Sequence, residues 1–312
     1  MIQDSQCNKV YVSSLLQERC PVTFKGLASV LDRHEVKWSL LQDTKDIWCR
    51  DYMPIQISVD QFAGYLYDPD YLQSPLYKKT ITDGNLLCRD LGMNVTSDLL
   101  KLRLDGGNIV KAKDCFIMTS KVFEENPQIS VRELSETLEN TLEGRLIILP
   151  WDTAEMFGHA DGICRYAGNG TILLTNYSQF DPDMAYRFKR SLLPHFNHVK
   201  ELKYNVKKPY KNNWAYINWL QTDKVLILPR FNVPEDEQAF EQISKLMPEY
   251  HGRIEMVDSS DLVIHGGCLN CCTWTVSEDM SKIHHNTEND NRYNSIIEKY
   301  QKDSNSVCFD EI

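Results

Sequence analysis

GHADGICRY, residues 158–166, sets a histidine and an aspartate two positions apart between glycines, just ahead of the apolar run TILLTN (171–176). On an extended segment His159 and Asp161 point to the same face, whereas on a helix they diverge. Gly158 and Gly162 on either side, with a strand following, favour extended or turn geometry. A carboxylate near an imidazole raises the histidine pKa and favours the imidazolium, the form that protonates a leaving group. A surface turn with a solvated His and Asp accounts equally well for these nine residues alone, so the rest of the chain has to decide.

Outward from this stretch, short apolar runs read as strands: KVYVSS (9–14), VKWSLLQ (36–42), CFIMTS (115–120), RLIILP (145–150), TILLTN, KVLILP (224–229) and RIEMVD (253–258). Helical patterns lie between them. SVRELSETLENTL (130–142) spaces Val131, Leu134, Leu138 and Leu142 for one face, with Ser130 as cap and Glu133 three residues on. DPDMAYRFKRSLLPHF (181–196) and EDEQAFEQISKLMPEY (235–250) have the same character. The alternation predicts an α/β or α+β architecture, and a loose strand, turn, strand, helix rhythm recurs over something like fifty residues. No Pro- or Gly-rich linker divides the chain, which predicts one catalytic domain over residues 1–280 and a polar extension over 281–312, with a short helix around NSIIEKYQK.

With 42% hydrophobic and 25% charged residues, the 312-residue chain has the composition of a globular protein. Its formal net charge of -10 argues against a nucleic-acid or anionic-membrane surface and is compatible with a cationic substrate. The N-terminus shows no basic region followed by an apolar stretch, and no apolar run approaches the length of a membrane helix, so a cytoplasmic location is expected. The ten cysteines lie mostly inside apolar segments, a distribution that predicts free thiols rather than a disulfide framework.

Three further clusters place polar residues beside glycine or proline. In IWCRDYMP (47–54), Arg50 and Asp51 sit between Trp48 and Tyr52; a structural ion pair at a strand end is the plain reading. In RLDGGNIV (103–110), Asp105 precedes two glycines that permit a bend or close backbone approach, and a plain Asp turn explains it as well. HGGCLNCCTW (265–274) holds three thiols and three readings. Cys268 and Cys271 form a C-x-x-C suited to redox chemistry or half a zinc site, though no second ligand pair accompanies them and the following residues continue as a strand. The third reading is one nucleophilic cysteine presented by a glycine turn, with His159 as proton partner.

Together and in this order, the four clusters resemble the agmatine deiminase and bacterial peptidylarginine deiminase family of guanidino-group-modifying proteins. The family pattern runs W-x-R-D-x-G-P, E-G-G, G-H-x-D-x-x-x-R-[FY] and a glycine-rich turn ending in H-C-x-T. This chain has Trp48-Cys49-Arg50-Asp51-Tyr52-Met53-Pro54, Asp105-Gly106-Gly107, Gly158-His159-Ala160-Asp161 followed by Arg165-Tyr166, and Gly266-Gly267 followed by Asn270-Cys271-Cys272-Thr273. The resemblance spans about Val10 to Val276 and implies the pentein fold, a five-bladed α/β propeller with pseudo-fivefold ββαβ-type repeats.

The resemblance further implies that Cys271 is the nucleophile, that Asp51 and Asp161 grip a guanidinium, that His159 is general acid and then base, and that Asp105 orients His159. It sets Trp48, Arg165 and Asn270 with these around the substrate, while Arg50 and Arg165, also in family positions, read as structural partners of buried acids or as contacts for a substrate carboxylate. The implied activity is deimination of a guanidino compound, small or peptidyl, through a covalent thiouronium with release of ammonia and no metal or other cofactor. Amidino transfer through the same intermediate, or non-catalytic binding of a guanidinium ligand, are the alternatives. Three positions depart from the pattern: Asp105 for Glu, Met53 for Gly and Asn270 for His. They suggest a divergent branch whose substrate need not be agmatine. The segments AGYLYDPDYLQSPLYKK and KKPYKNNWAYINW are candidates to cover the site, with Tyr65, Tyr71, Trp214 and Trp219 either lining it or packed in the core.

Overall fold

Five small sheets follow one another along the chain, all built to one pattern. In four of them a central strand pairs antiparallel with the strand before it and parallel with the strand after it; in the first, the last strand of the chain takes the antiparallel place. Parallel neighbours cannot be joined by a tight turn, so a helix makes each parallel crossover. The computed structural model describes residues 1–278; the polar extension, the helix expected around NSIIEKYQK and Cys308 lie outside the described residues.

The first sheet joins β1 (Lys9–Ser13) through α1 (Pro21–Arg33) to β2 (Lys37–Leu41). The second runs β3 (Ile55–Ser58), β4 (Gln61–Leu66), α2 (Gly84–Asp90) and β5 (Val95–Arg103). The third runs β6 (Val110–Lys111), β7 (Cys115–Thr119), α3 (Val131–Leu142) and β8 (Arg145–Leu149). The fourth runs β9 (Cys164–Tyr166), β10 (Thr171–Leu174), α4 (Pro182–Leu192) and β11 (His198–Glu201). The fifth runs β12 (Leu220–Gln221), β13 (Leu226–Arg230), α5 (Glu235–Leu246) and β14 (Ile254–Asp258). Finally β15 (Thr273–Val276) returns to pair antiparallel with β1, Lys9 opposite Val276, and supplies the strand the first sheet lacks.

All seven apolar runs are strands, and the three amphipathic patterns are α3, α4 and α5. On α3, Ser130 accepts the Glu133 backbone N–H as expected of a cap, and Leu134, Leu138 and Leu142 are fully buried. Val131, on the expected apolar stripe and first in the helix, is exposed. Helix α5 ends before Pro248, which disfavours helical backbone at Met247, and Pro248–Tyr250 continues only as a 3-10 turn. The fold is the five-bladed α/β propeller that the resemblance implied. Among the described residues no helix is long and apolar enough to cross a membrane.

Candidate active site

The connections between blades carry the chemistry. Asp51 lies on the short helix Cys49–Tyr52 between the first and second blades, and Asp105 precedes the turn Gly106–Asn108 between the second and third. His159 and Asp161 flank the start of the turn Ala160–Gly162 between the third and fourth. Asn218 follows the turn Asn213–Ile217 between the fourth and fifth, and Cys271 lies between the fifth blade and β15. Five connections from five blades thus contribute side chains to one cluster.

The cluster closes through hydrogen bonds between residues far apart in sequence. His159 Nε2 is 2.9 Å from Asp105 Oδ2, and its Nδ1 is 3.6 Å from Asp51 Oδ1, which also accepts the Gly107 N–H at 3.1 Å. Asp161 Oδ2 accepts from Asn270 Nδ2 at 2.6 Å, from Asn218 Nδ2 at 3.2 Å and from the Cys271 thiol at 3.6 Å. Asn218 Oδ1 in turn receives the backbone N–H of Asn270 at 3.1 Å and of Cys271 at 3.2 Å, which sets the nucleophile turn against the aspartate.

His159 and Asp161 are not a direct pair. His159 keeps extended backbone while Asp161 enters a 3-10 turn, so the two side chains separate. Burial penalises the imidazolium, but Asp51, Asp105 and Asp161 outweigh that penalty and hold the His159 pKa up to about 10. Burial likewise pushes Asp51 up to about 7, partly offset by the His159 charge. The Cys271 thiol is pushed well above its ordinary value by burial first and then by the Asp161 and Asp51 charges, which favours the neutral thiol.

These groups floor a cavity of about 1250 Å³ bordered by Asp51, His159, Asp161, Asn218 and Cys271. Of the three thiols in HGGCLNCCTW, Cys271 alone reaches it; Cys268 and Cys272 are fully buried in the apolar core. Trp48 borders the cavity, as do Tyr71 and Trp214 from the two segments expected to cover it. Tyr65 and Trp219 do not. Tyr65 donates its hydroxyl to the carbonyls of Asp51 and Met53, and Trp219 is fully buried with its indole N–H on Gln221.

Three of the expected substrate contacts are corrected by this geometry. Arg165 points away from the cavity and pairs with Asp4 at 2.9 Å. Asn270 does not border the cavity because its amide is spent on Asp161. Asp105 stands behind His159, where Tyr71 Oη also donates to it at 3.4 Å. Met53 has extended backbone, φ -83°, where glycine's freedom is not needed, and its side chain fills the core.

Two residues of the cluster escaped sequence reading. Asn218 lies inside a segment noted only for its aromatics, and its signal was positional: residues 51, 105, 159, 218 and 271 recur about every 55 residues, one per repeat. Lys121 is 1% exposed and donates to Asp70 and to the Phe157 carbonyl, both at 2.9 Å, with Tyr71 stacked under its ammonium at 4.6 Å. It fastens the aromatic wall, Tyr71 and Phe157, that stands beside His159, and no local pattern marks it.

A cysteine, a histidine and three buried carboxylates gathered at the centre of a five-bladed α/β propeller define a protein of the pentein class. Within that class, this chain belongs to the Porphyromonas-type peptidyl-arginine deiminase family, whose family model matches residues 12–276. A putative agmatine deiminase of Marinomonas sp. (strain MWYL1) is 24% identical over 214 residues, which cover 58% of this chain and 56%, about half, of the relative's length. Agmatine deiminase of Pseudomonas syringae pv. syringae (strain B728a) is 23% identical over 279 residues, 74% of each chain. Among solved structures, C. jejuni agmatine deiminase superposes with a TM-score of 0.70 over 89% of this chain and 95% of its own, at 16% identity.

Proposed function

We propose that this chain is a cysteine-dependent deiminase that hydrolyses a guanidino substrate and releases ammonia. The observation that carries this reading is the cavity floor, where Cys271 lies against Asp161, and Asp51 and His159 lie against each other on the same floor. A guanidinium is planar, permanently charged and rich in N–H donors, so two carboxylates hold it by paired bonds and set its central carbon over the sulfur. Three buried carboxylates face one imidazolium, a field that favours a cation over a neutral ligand.

The Cys271 thiol starts protonated and hydrogen-bonded to Asp161. Arrival of a cation between Asp51 and Asp161 cancels the negative field that holds that proton, and the thiolate forms as the proton leaves to solvent. Sulfur attacks the guanidino carbon, and a C–S bond forms. The His159 imidazolium gives its proton to the departing nitrogen, the C–N bond breaks, and ammonia leaves a cationic thiouronium. Neutral His159 then takes a proton from water, whose oxygen adds to the same carbon. The C–S bond breaks, the ureido product departs with loss of a proton to solvent, and the thiolate is restored.

Asp105, in this reading, holds the histidine and touches no substrate. The cavity wall carries Asp152, Glu155 and Asp181 against Lys211, with Arg19 paired to Asp46, an acidic excess that supports a substrate with a second positive charge rather than a carboxylate tail. Agmatine, the substrate named for the relatives, has that form.

Ammonia release from agmatine, arginine and a peptidyl arginine, followed for the wild type and a Cys271→Ser variant, tests the proposal. Turnover in the wild type and none in a variant with an unchanged melt is expected. Equal turnover in the two would sink it, and a new guanidine formed from added amine in place of ammonia would indicate amidino transfer.

A further inference from the structure

Beneath the cluster lies a second group of charges that the chemistry does not use. Asp4, on the turn Asp4–Gln6, receives Arg165 Nη2 at 2.9 Å and lies 3.6 Å from Lys111 Nζ and 3.9 Å from Arg50 Nη1. The three cations come from three separate parts of the propeller and are each at least nine-tenths buried. Cations crowded together out of water repel, and Asp4 is the carboxylate set among all three.

Two of these cations are tied directly to the cavity floor. Arg50 precedes Asp51, and it also holds the nucleophile turn: its backbone N–H donates to the Cys271 carbonyl at 3.0 Å, its Nε to the Asn270 carbonyl at 3.4 Å and its Nη2 to Thr275 Oγ1 at 3.2 Å. Arg165 lies on β9, which continues directly from the Asp161 turn. A small cavity of about 300 Å³ opens beside Asp4, bordered by Lys111, Lys113 and Arg165 and by none of the residues that border the substrate cavity.

We propose that Asp4 is a remote positioning residue: by anchoring Arg50 and Arg165 it holds the Asp51 helix, the Cys271 turn and the Asp161 strand in one register. Without its carboxylate, Arg50 and Arg165 repel each other across the gap and the turns they hold spread apart. This rests on the proposed role of Cys271, so the test reads the cysteine itself as well as turnover.

The experiment compares wild type with Asp4→Ala by the rate at which a chloroacetamidine labels Cys271, located by peptide mapping, together with ammonia release. The variant is expected to fold, to label Cys271 at least tenfold more slowly, to lose kcat more than KM, and to regain rate when formate is added, because the small cavity admits a one-carbon carboxylate. Unchanged labelling in a folded Asp4→Ala protein overturns the proposal. So does slow labelling that formate fails to restore in Asp4→Ala, or normal labelling in the isosteric Asp4→Asn, which keeps the shape and loses the charge. If neither variant gives a cooperative melt, Asp4 is a folding residue and the positioning role is likewise rejected. Failure of the wild type to label or to turn over any guanidine would instead count against the proposed function.

Discussion

Asp105 is one methylene shorter than the glutamate usual in the family pattern, yet its Oδ2 lies 2.9 Å from His159 Nε2. The contact places a negative charge on the far side of the imidazole from Asp51. With burial penalising the imidazolium and Asp51, Asp105 and Asp161 outweighing the penalty, His159 keeps its proton up to about 10. The plot of kcat/KM against pH should therefore rise as Asp51 ionises near 7 and fall as His159 deprotonates near 10. Asp105→Asn removes one of the charges that hold the His159 proton and should bring the falling limb down by about one pH unit or more; because Asp105 also helps to raise Asp51, the rising limb should move down as well. A falling limb that stays where it was would show that Asp105 does not govern the proton on His159. The same scale shows why Arg165 carried two readings: a buried arginine beside an active-site motif serves substrate or scaffold equally well in sequence, and the Asp4 contact decides for the structural partner of a buried acid.

Elements divide into those stabilised by local chemistry and those shaped by their neighbours. Helix α3 belongs to the first kind, with its Ser130 cap and three buried leucines readable from spacing. Ser130→Ala should lower stability by about 1 kcal/mol in a denaturant melt without touching turnover, because the orphaned Glu133 N–H turns to water. The turn Gly106–Asn108 is of the second kind. A Cβ at Gly107 would stand 2.5 Å from Asp51 Oδ1 and 2.7 Å from His159 Nδ1, the two side-chain atoms that face each other across the site. Gly107→Ala should thus cost turnover at least a hundredfold, about 2.7 kcal/mol of barrier, while leaving the melt close to wild type. A Cβ at Gly106 would lie 1.9 Å from the Arg50 carbonyl, which cannot yield as a side chain can, so Gly106→Ala should be destabilised in the melt itself. Activity that survives in Gly107→Ala would place the reacting groups elsewhere.

Over the whole molecule, stability and ligand response carry the same charges. The folded state's hold on the His159 proton contributes in full below about pH 6.5 and is lost as pH rises through about 10. Asp51 acts in the same direction, because burial raises it to about 7 and its ionisation costs more folded than unfolded. The loss from Asp51 runs from about pH 4 to 7 and that from His159 from about 6.5 to 10, so these two groups should lower the melting temperature between about pH 4 and 10. A bound guanidine supplies the missing counter-charge to Asp51, so the thermal shift produced by saturating agmatine or arginine should be larger near pH 8 than near pH 5.5. A shift independent of pH would mean that the cation does not meet Asp51.

The sequence by itself determined seven of the strands, three of the amphipathic helices, the rhythm of about fifty residues and the four polar turns, because each is written in local runs of residues. Those turns contain Asp51, Asp105, His159, Asp161 and Cys271, five members of the cluster. Tertiary structure alone decided which of three neighbouring thiols meets the cavity, that Asn218 completes the floor, and that Arg165 turns to Asp4 instead of substrate. The reason is geometric. A propeller brings one turn from every blade to its centre, so contacts such as Asn218 to Cys271 or His159 to Asp105 join residues more than fifty positions apart. Their distances depend on how all five blades pack, and no local run of residues carries that information.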